Sequence, residues 1–313
     1  MLKYLIIQLD DASTSYCYYA VNKDKRFLMP MDVLKSGIIF AMKENLMVQY
    51  LLPDYKLPDE YINVMESVDN CKIASFSSSY ASISDVLVID KWKEKMSFVD
   101  NKTYILRISK KDLLSKYTDI KDRLKDITRL NVVITDIERF SDSDFENYRT
   151  ALYNIAKEVE FLYVNGVYMQ LNLLTDRIIL DKMNNCNAGY ENVTLAPDGN
   201  FYVCPAFYND DDYNVGSVNS GIDIKNQHLY RIAYAPLCRN CDAYQCRRCI
   251  WLNKKTTLEV NTPSHEQCAV SHVERDVSRK LLMNMQKGGV ANFHDKEIKE
   301  ISYIDPFDVR KNW

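Results

Sequence analysis

Seven of the nine cysteines of this 313-residue chain crowd between residues 186 and 268: Cys186, Cys204, Cys238, Cys241, Cys246, Cys249 and Cys268. Four of them form the run Cys238-x2-Cys241-x4-Cys246-x2-Cys249, and two thiolates separated by two residues turn toward one ion or one cluster. The start of the sequence carries no export signal, because Leu5-Ile6-Ile7 soon meets Asp10-Asp11. In a chain kept in a reducing compartment such clustering argues for metal rather than disulfides. Zinc is one reading, yet a four-residue spacer is far shorter than the roughly 15–20 residues that usually separate zinc knuckles. Zinc held by these four would also leave Cys186, Cys204 and Cys268 unexplained. Iron–sulfur clusters suit the count better, since they accept close, irregular spacings and a remote fourth thiolate. Seven thiolates supply four to one cubane and three to another. Arg239, Arg247 and Arg248 lie among these cysteines and could offset a cluster's negative charge, or could simply be solvated surface.

Other chemistries are poorly served. The eight glycines are about 3% of the chain where roughly 7% is usual, and Gly37 is the only one before Gly166. Phosphate-cradling loops need clustered glycines, so nucleotide chemistry of that kind is excluded. The four histidines all fall in the last third, which leaves the first half without a nucleophile–histidine pair. Cys17 as a nucleophile beside Asp10 and Asp11 is disfavoured, because carboxylates raise a thiol pKa. Cys71 reads as packing. Forty basic against forty-three acidic side chains give a net charge of −3, which argues against bulk binding of nucleic acid. No run of about 18 apolar residues is present to cross a membrane. A cytoplasmic protein is expected.

The elements that must position these residues show as periodicity. Tyr4–Leu9 reads as a strand, Asp32–Leu46 as a helix, Met47–Leu52 as a strand and Asp59–Val68 as a helix. Lys72–Ser77 and Asp85–Asp90 read as strands, and Lys110–Leu130 as one long helix. Asn131–Thr135 is a strand, Ser141–Tyr163 a long helix and Tyr168–Leu173 a strand. Strands interleaved with helices predict an α/β fold with a parallel sheet. Beyond residue 185, Pro197-Asp198-Gly199 predicts the turn of a β-hairpin between 192–196 and 200–204. An irregular cysteine-rich stretch comes next. Ser271 with Glu274 reads as a capping box for a final helix ending at Gly288-Gly289, with Val273, Val277, Leu281 and Met285 on one face. Cys268 then stands three residues before that helix, whose N-terminal dipole would favour a negative cluster.

Cys186, then Gly199-x4-Cys204, then the four-cysteine run and Cys268 resemble the SPASM domain, the C-terminal module of radical S-adenosylmethionine (AdoMet) enzymes that modify peptides. The usual run is x2, x5, x3, and here it is x2, x4, x2. The resemblance implies that Cys186, Cys204 and Cys249 hold a first auxiliary cluster, and that Cys238, Cys241, Cys246 and Cys268 hold a second. It also implies a partial (β/α)6 barrel ahead of the module.

Such barrels carry CxxxCxxC after the first strand. The corresponding loop here reads Ser13-Thr14-Ser15-Tyr16-Cys17-Tyr18-Tyr19-Ala20, so Ser13 and Ala20 stand where the outer cysteines belong. One thiolate cannot hold that cluster, and AdoMet cleavage is not expected. With its start Lys3-Tyr4-Leu5-Ile6-Ile7-Gln8-Leu9-Asp10-Asp11, the whole chain resembles the CXXX-repeat peptide maturase family, companions of a true radical enzyme in making ribosomally synthesised, modified peptides. This resemblance implies a degenerate barrel over residues 1–180, a SPASM-like module over 181–290 and a tail over 291–313. It further implies one or two [4Fe–4S] clusters, with zinc as the alternative, and no independent catalysis. The implied partners are a radical AdoMet peptide maturase, in a heterodimer, and a cysteine-rich CXXX-repeat precursor peptide, with no nucleic acid and no membrane. The twenty-two tyrosines offer contact area for a peptide or a partner, though most suit half-buried strand and helix positions. Tyr303, Phe307 and Trp313 in the tail could dock a partner.

Overall fold

A computed structural model describes residues 2–21, 26–93, 95–180, 186–210, 213–243, 245–290 and 293–298. Tyr303, Phe307 and Trp313 lie outside the described residues.

Seven parallel strands succeed one another in chain order: β1 Tyr4–Gln8, β2 Met47–Leu51, β3 Asn70–Ser75, β4 Val86–Ile89, β5 Thr103–Ile108, β6 Arg129–Ile134 and β7 Gln170–Leu171. Helices α1 Met31–Lys43, α2 Asp59–Met65, α3 Lys110–Asp122 and α4 Asp142–Val164 make four of the crossovers, whereas β3 to β4 and β4 to β5 are joined without a helix among the described residues. A short α5, Asp176–Ile179, comes after β7. The strands are apolar on both faces, as in Leu5-Ile6-Ile7 and Leu87-Val88-Ile89, which is what a parallel sheet covered by helices requires. Tyr50, Tyr104 and Tyr148 are fully buried in this core, so much of the tyrosine content serves packing. Among the described residues no helix is long and apolar enough to cross a membrane.

The expected hairpin is present and does more than cap the barrel. β8 Asn192–Leu195 pairs in parallel with β1, Tyr4 opposite Asn192 and Ile7 opposite Leu195. β9 Phe201–Tyr202 pairs antiparallel with β8. The result is a nine-stranded sheet, β7-β6-β5-β4-β3-β2-β1-β8-β9. Gly199 takes the left-handed turn position at φ 81°, which a residue with Cβ reaches only at a cost. The rest of the second half comprises α6 Pro205–Asn209, a two-residue ladder of β10 Gly216–Ser217 with β11 Gly221–Ile222, α7 Ile250–Thr257 and α8 His265–Lys287. This is the expected order, an α/β partial barrel with a cysteine-rich segment, a hairpin and a terminal helix after it.

Three expectations require correction. The helix from Lys110 ends at Asp122, passes through a 3-10 turn at Leu124–Asp126, and gives way to strand at Arg129. β6 lies between β5 and β7, so sheet pairing overrides the helical periodicity of 127–130. β5, which the alternation did not place, is among the best paired strands, matched to β6 over all six residues. Finally, α8 begins at His265, and its capping box is Ser264 with Gln267. Ser271 is mid-helix and donates its hydroxyl to the Gln267 carbonyl at 2.9 Å. Glu274 points inward, with no part exposed. The four-residue face of Val273, Val277, Leu281 and Met285 is buried as expected.

Gly37 of α1 lies directly on the strand pair that joins the two halves. A Cβ there would collide with Leu195 Cδ2, and Leu195 is itself wholly buried. Gly37→Ala is therefore expected to lower stability by about 1–3 kcal/mol through overpacking, despite its better helix propensity. Urea unfolding of the two proteins checks this, and an unchanged or raised midpoint would refute the packing argument.

Candidate metal centre

The loop after β1 is held inward by its own polar groups. Asp10 accepts from the Ala12 N–H at 2.7 Å and from the Tyr55 hydroxyl at 2.7 Å. Asp11 accepts from the Tyr208 hydroxyl. The Ser13 hydroxyl accepts from the Asp10 N–H at 3.0 Å, while Ala20 faces solvent. The two positions where outer cysteines would stand are thus engaged in a turn and exposed, respectively. Arg107, near the carboxyl end of β5, reaches across and donates to the Cys17 carbonyl at 2.8 Å and the Tyr19 carbonyl at 2.7 Å. Asp90 orients the same guanidinium at 2.7 Å.

These bonds deliver Cys17 to the cysteine-rich segment. Its thiol is hydrogen-bonded to that of Cys249, which together with nearby Arg107 and Arg247 lowers the Cys17 pKa and, reciprocally, raises that of Cys249. Asp10 and Asp11 are occupied by tyrosines, so the carboxylate effect expected on Cys17 gives way to a thiol and two guanidiniums. Cys186 and Cys204 adjoin the same pair. Burial and then Cys17 raise Cys186 to about 11. Burial and then Cys186 push Cys204 well above the usual thiol range. Tyr16 and Tyr19, their rings 6.2 Å apart edge to face, and Tyr18 border this group.

Cys238, Cys241 and Cys246 form a second gathering. Burial and then Cys246 and Cys241 raise Cys238 to about 12, against the opposing pull of Arg248. Burial and then Cys241 raise Cys246. The turn between them passes through Gln245 in the left-handed region at φ 61°, and the Ala243 N–H points at the Cys241 sulfur at 3.3 Å. Cys268 sits in the first turns of α8 rather than ahead of it. His272, four residues on, shares that helix face and places Nε2 3.7 Å from the Cys241 sulfur. Sequence reading did not single out His272, although cysteine and histidine at i and i+4 on a helix is a ligand spacing. Cys241, Asp242 and His272 bring ligand atoms within 4.8 Å of one another. Asp242 is also paired with buried Arg275.

The arginines divide by function. Arg239 is exposed. Arg247 is consumed by Glu274 and by the Val132 carbonyl, which also accepts from the Asn172 side-chain amide at 3.0 Å. Arg177 reaches the other Glu274 oxygen at 3.1 Å, both side chains fully buried, and the Tyr148 hydroxyl donates to Glu274 at 2.8 Å. Arg248 is different. It donates to the Tyr230 and Val260 carbonyls, its buried Nε has no hydrogen-bond partner, and the thiols affecting it come from both gatherings: Cys238 and Cys246, then Cys186 and Cys249.

A crowd of raised thiols around a cation with a spare donor is a site that wants metal. Deprotonation of Cys186, Cys204, Cys238, Cys246 and Cys249 is opposed by burial and by neighbouring thiols until metal supplies positive charge. An orphaned guanidinium N–H between two thiol groups suits anionic, thiolate-ligated clusters. The residues present fit iron–sulfur clusters.

No family model matches the chain, and no curated protein matches it. Solved structures do. anSMEcpe with bound AdoMet aligns at TM-score 0.64 and 14% identity, over 92% of this chain and 100% of that one. The same protein with AdoMet and the Cp18Cys peptide gives 0.62 and 14%, over 91% and 99%. The fold is shared with anSMEcpe. At such identity the likeness concerns fold alone, and it extends through the cysteine-rich segment as well as the barrel.

Proposed function

We propose that this chain is an accessory subunit of a peptide-modifying radical AdoMet complex in the biosynthesis of ribosomally made peptides. It binds auxiliary iron–sulfur clusters in a SPASM-like module (181–290) set on a degenerate barrel (1–180), and does not itself cleave AdoMet. The observation that carries this reading is the contrast within one fold. Cys186, Cys238, Cys246 and Cys249 share the charge of Arg248, whereas Ser13 and Ala20 stand where a radical-initiating cluster needs its outer ligands. anSMEcpe, with the same fold, is seen with AdoMet and a peptide bound, which supports a peptide as the ligand. The role is then to hold a cysteine-repeat precursor or to pass electrons beside a catalytic partner. When bound, the clusters supply one-electron chemistry; Cys186, Cys204, Cys249, Cys238, Cys241, Cys246 and Cys268 would hold them, and Arg248 would offset their charge.

The test is co-expression with a radical AdoMet enzyme encoded beside this chain, under anaerobic conditions. A stable complex with about four to eight irons and matching sulfide on this subunit is expected. Separate migration of the two proteins at micromolar concentration would refute the partnership. A second reading rests on the tight grouping of Cys241, Asp242 and His272, a donor set that suits one zinc ion in a purely structural, peptide- or protein-binding module. One or two zincs without sulfide would select it.

A further inference from the structure

We infer that Cys17 is the fourth thiolate of the site formed by Cys186, Cys204 and Cys249, so that the one cysteine left in the degenerate first loop serves the cluster of the C-terminal module. The inference rests on the cluster-binding reading above and goes beyond it, because the motif resemblance gives that site three cysteines and assigns Cys17 to another centre.

Three observations carry it. The Cys17 and Cys249 thiols are in hydrogen-bonding contact although 232 positions apart in the chain, and Cys186 and Cys204 adjoin the pair. The Cys17 backbone is fixed from outside its own loop, since Arg107 on β5 clamps the carbonyls on either side of Tyr18. Arg248, 8% exposed and with its Nε unpartnered, interacts electrostatically with Cys186 and Cys249 of this group as well as with Cys238 and Cys246 of the second.

Ligation exchanges the Cys17 S–H bond for a sulfur–iron bond, the proton leaves to solvent, and no oxidant or reductant is consumed. A fully thiolate-ligated cluster has no exchangeable iron, so this centre would be closed to AdoMet, to substrate thiols and to small ligands, leaving it electron transfer or structural support.

The experiment compares anaerobically purified full-length wild type with Cys17→Ala, Cys17→Ser and, as a control away from the site, Cys71→Ala. Wild type and Cys71→Ala are expected to hold about eight irons and eight sulfides. Both Cys17 variants should fall to roughly half, or show the electron paramagnetic resonance signal of a three-iron cluster as isolated. Added 2-mercaptoethanol should alter the spectrum of the Cys17 variants and leave wild type unchanged. Unaltered iron, sulfide and spectra in both Cys17 variants, with wild type loaded, would overturn the inference while the cluster-binding reading stands. A wild type with zinc and no sulfide would overturn both. Should the variants misfold, alkylation of loaded wild type and then peptide mapping decides the matter: Cys17 protected until iron is chelated is expected, and Cys17 labelled in the loaded protein overturns it.

Discussion

Glu274→Ala is expected to destabilise the protein by about 3–5 kcal/mol, because it strands buried positive charge. Glu274 is wholly buried and takes Arg177 on one oxygen and Arg247 on the other. Arg177 is itself completely enclosed, and water cannot replace the lost carboxylate. The Tyr148 hydroxyl loses its acceptor in the same change. The three partners come from α5, the cysteine-rich turn and α4, so one carboxylate on α8 ties together four elements. For a chain of this size the loss corresponds to a fall in melting temperature of about 5–8 °C. Glu274→Gln keeps an acceptor of the same shape and should lose less. Differential scanning calorimetry of the three proteins measures this, and a drop under about 1 kcal/mol for the alanine variant would show that the arginines find other partners.

The second large effect is electrical. Arg248 is the guanidinium whose charge meets thiols of both groups, whereas Arg247 shares the single Glu274 carboxylate with Arg177 and acts on the thiol of Cys17. Arg248→Met keeps the apolar stem and removes the charge. A unit charge several ångströms away in a partly buried site contributes on the order of 2 kcal/mol, which for a one-electron couple is about 90 mV. In the cluster-loaded protein proposed above, the potential of each cluster beside Arg248 should therefore move to more negative values by roughly that amount, whereas Arg248→Lys should stay near wild type. Redox titration monitored by electron paramagnetic resonance reads the shift directly. Equal potentials in the methionine variant would show that Arg248 serves only its two carbonyl partners.

Much of this architecture is legible in the residues. The strands of the barrel announce themselves because they are apolar on both faces, and the hairpin because Pro197-Asp198-Gly199 leaves the chain few other conformations. The cysteine spacing points to the stretch of chain in which Cys238, Cys241 and Cys246 are brought together. What sequence reading misses is non-local in origin. Ser271 and Glu274 have the right types at the right spacing to open α8. The structure uses Ser264 and Gln267 instead, and turns Glu274 toward arginines distant in sequence. The helix from Lys110 reads too long because pairing with β5 and β7 decides residues 129–134. Cys17 looks like the remnant of a lost motif, since nothing nearby in sequence shows that Arg107, ninety positions on, turns its loop toward Cys249. His272 needs the α8 register, which a helix start at Ser271 conceals.

The pairing of β8 with β1 has a consequence for how the protein is made. β1 emerges among the first residues of the chain, and one of its two neighbours, β8, begins at Asn192. Until that point has left the ribosome, the strand carrying Leu5, Ile6 and Ile7 has a bare edge able to recruit a second nascent chain. Closing this contact over nearly two hundred residues is an intrinsically slow step. Truncation before the hairpin would make that transient edge permanent, so a fragment of the first 180 residues is expected to aggregate rather than report on the barrel.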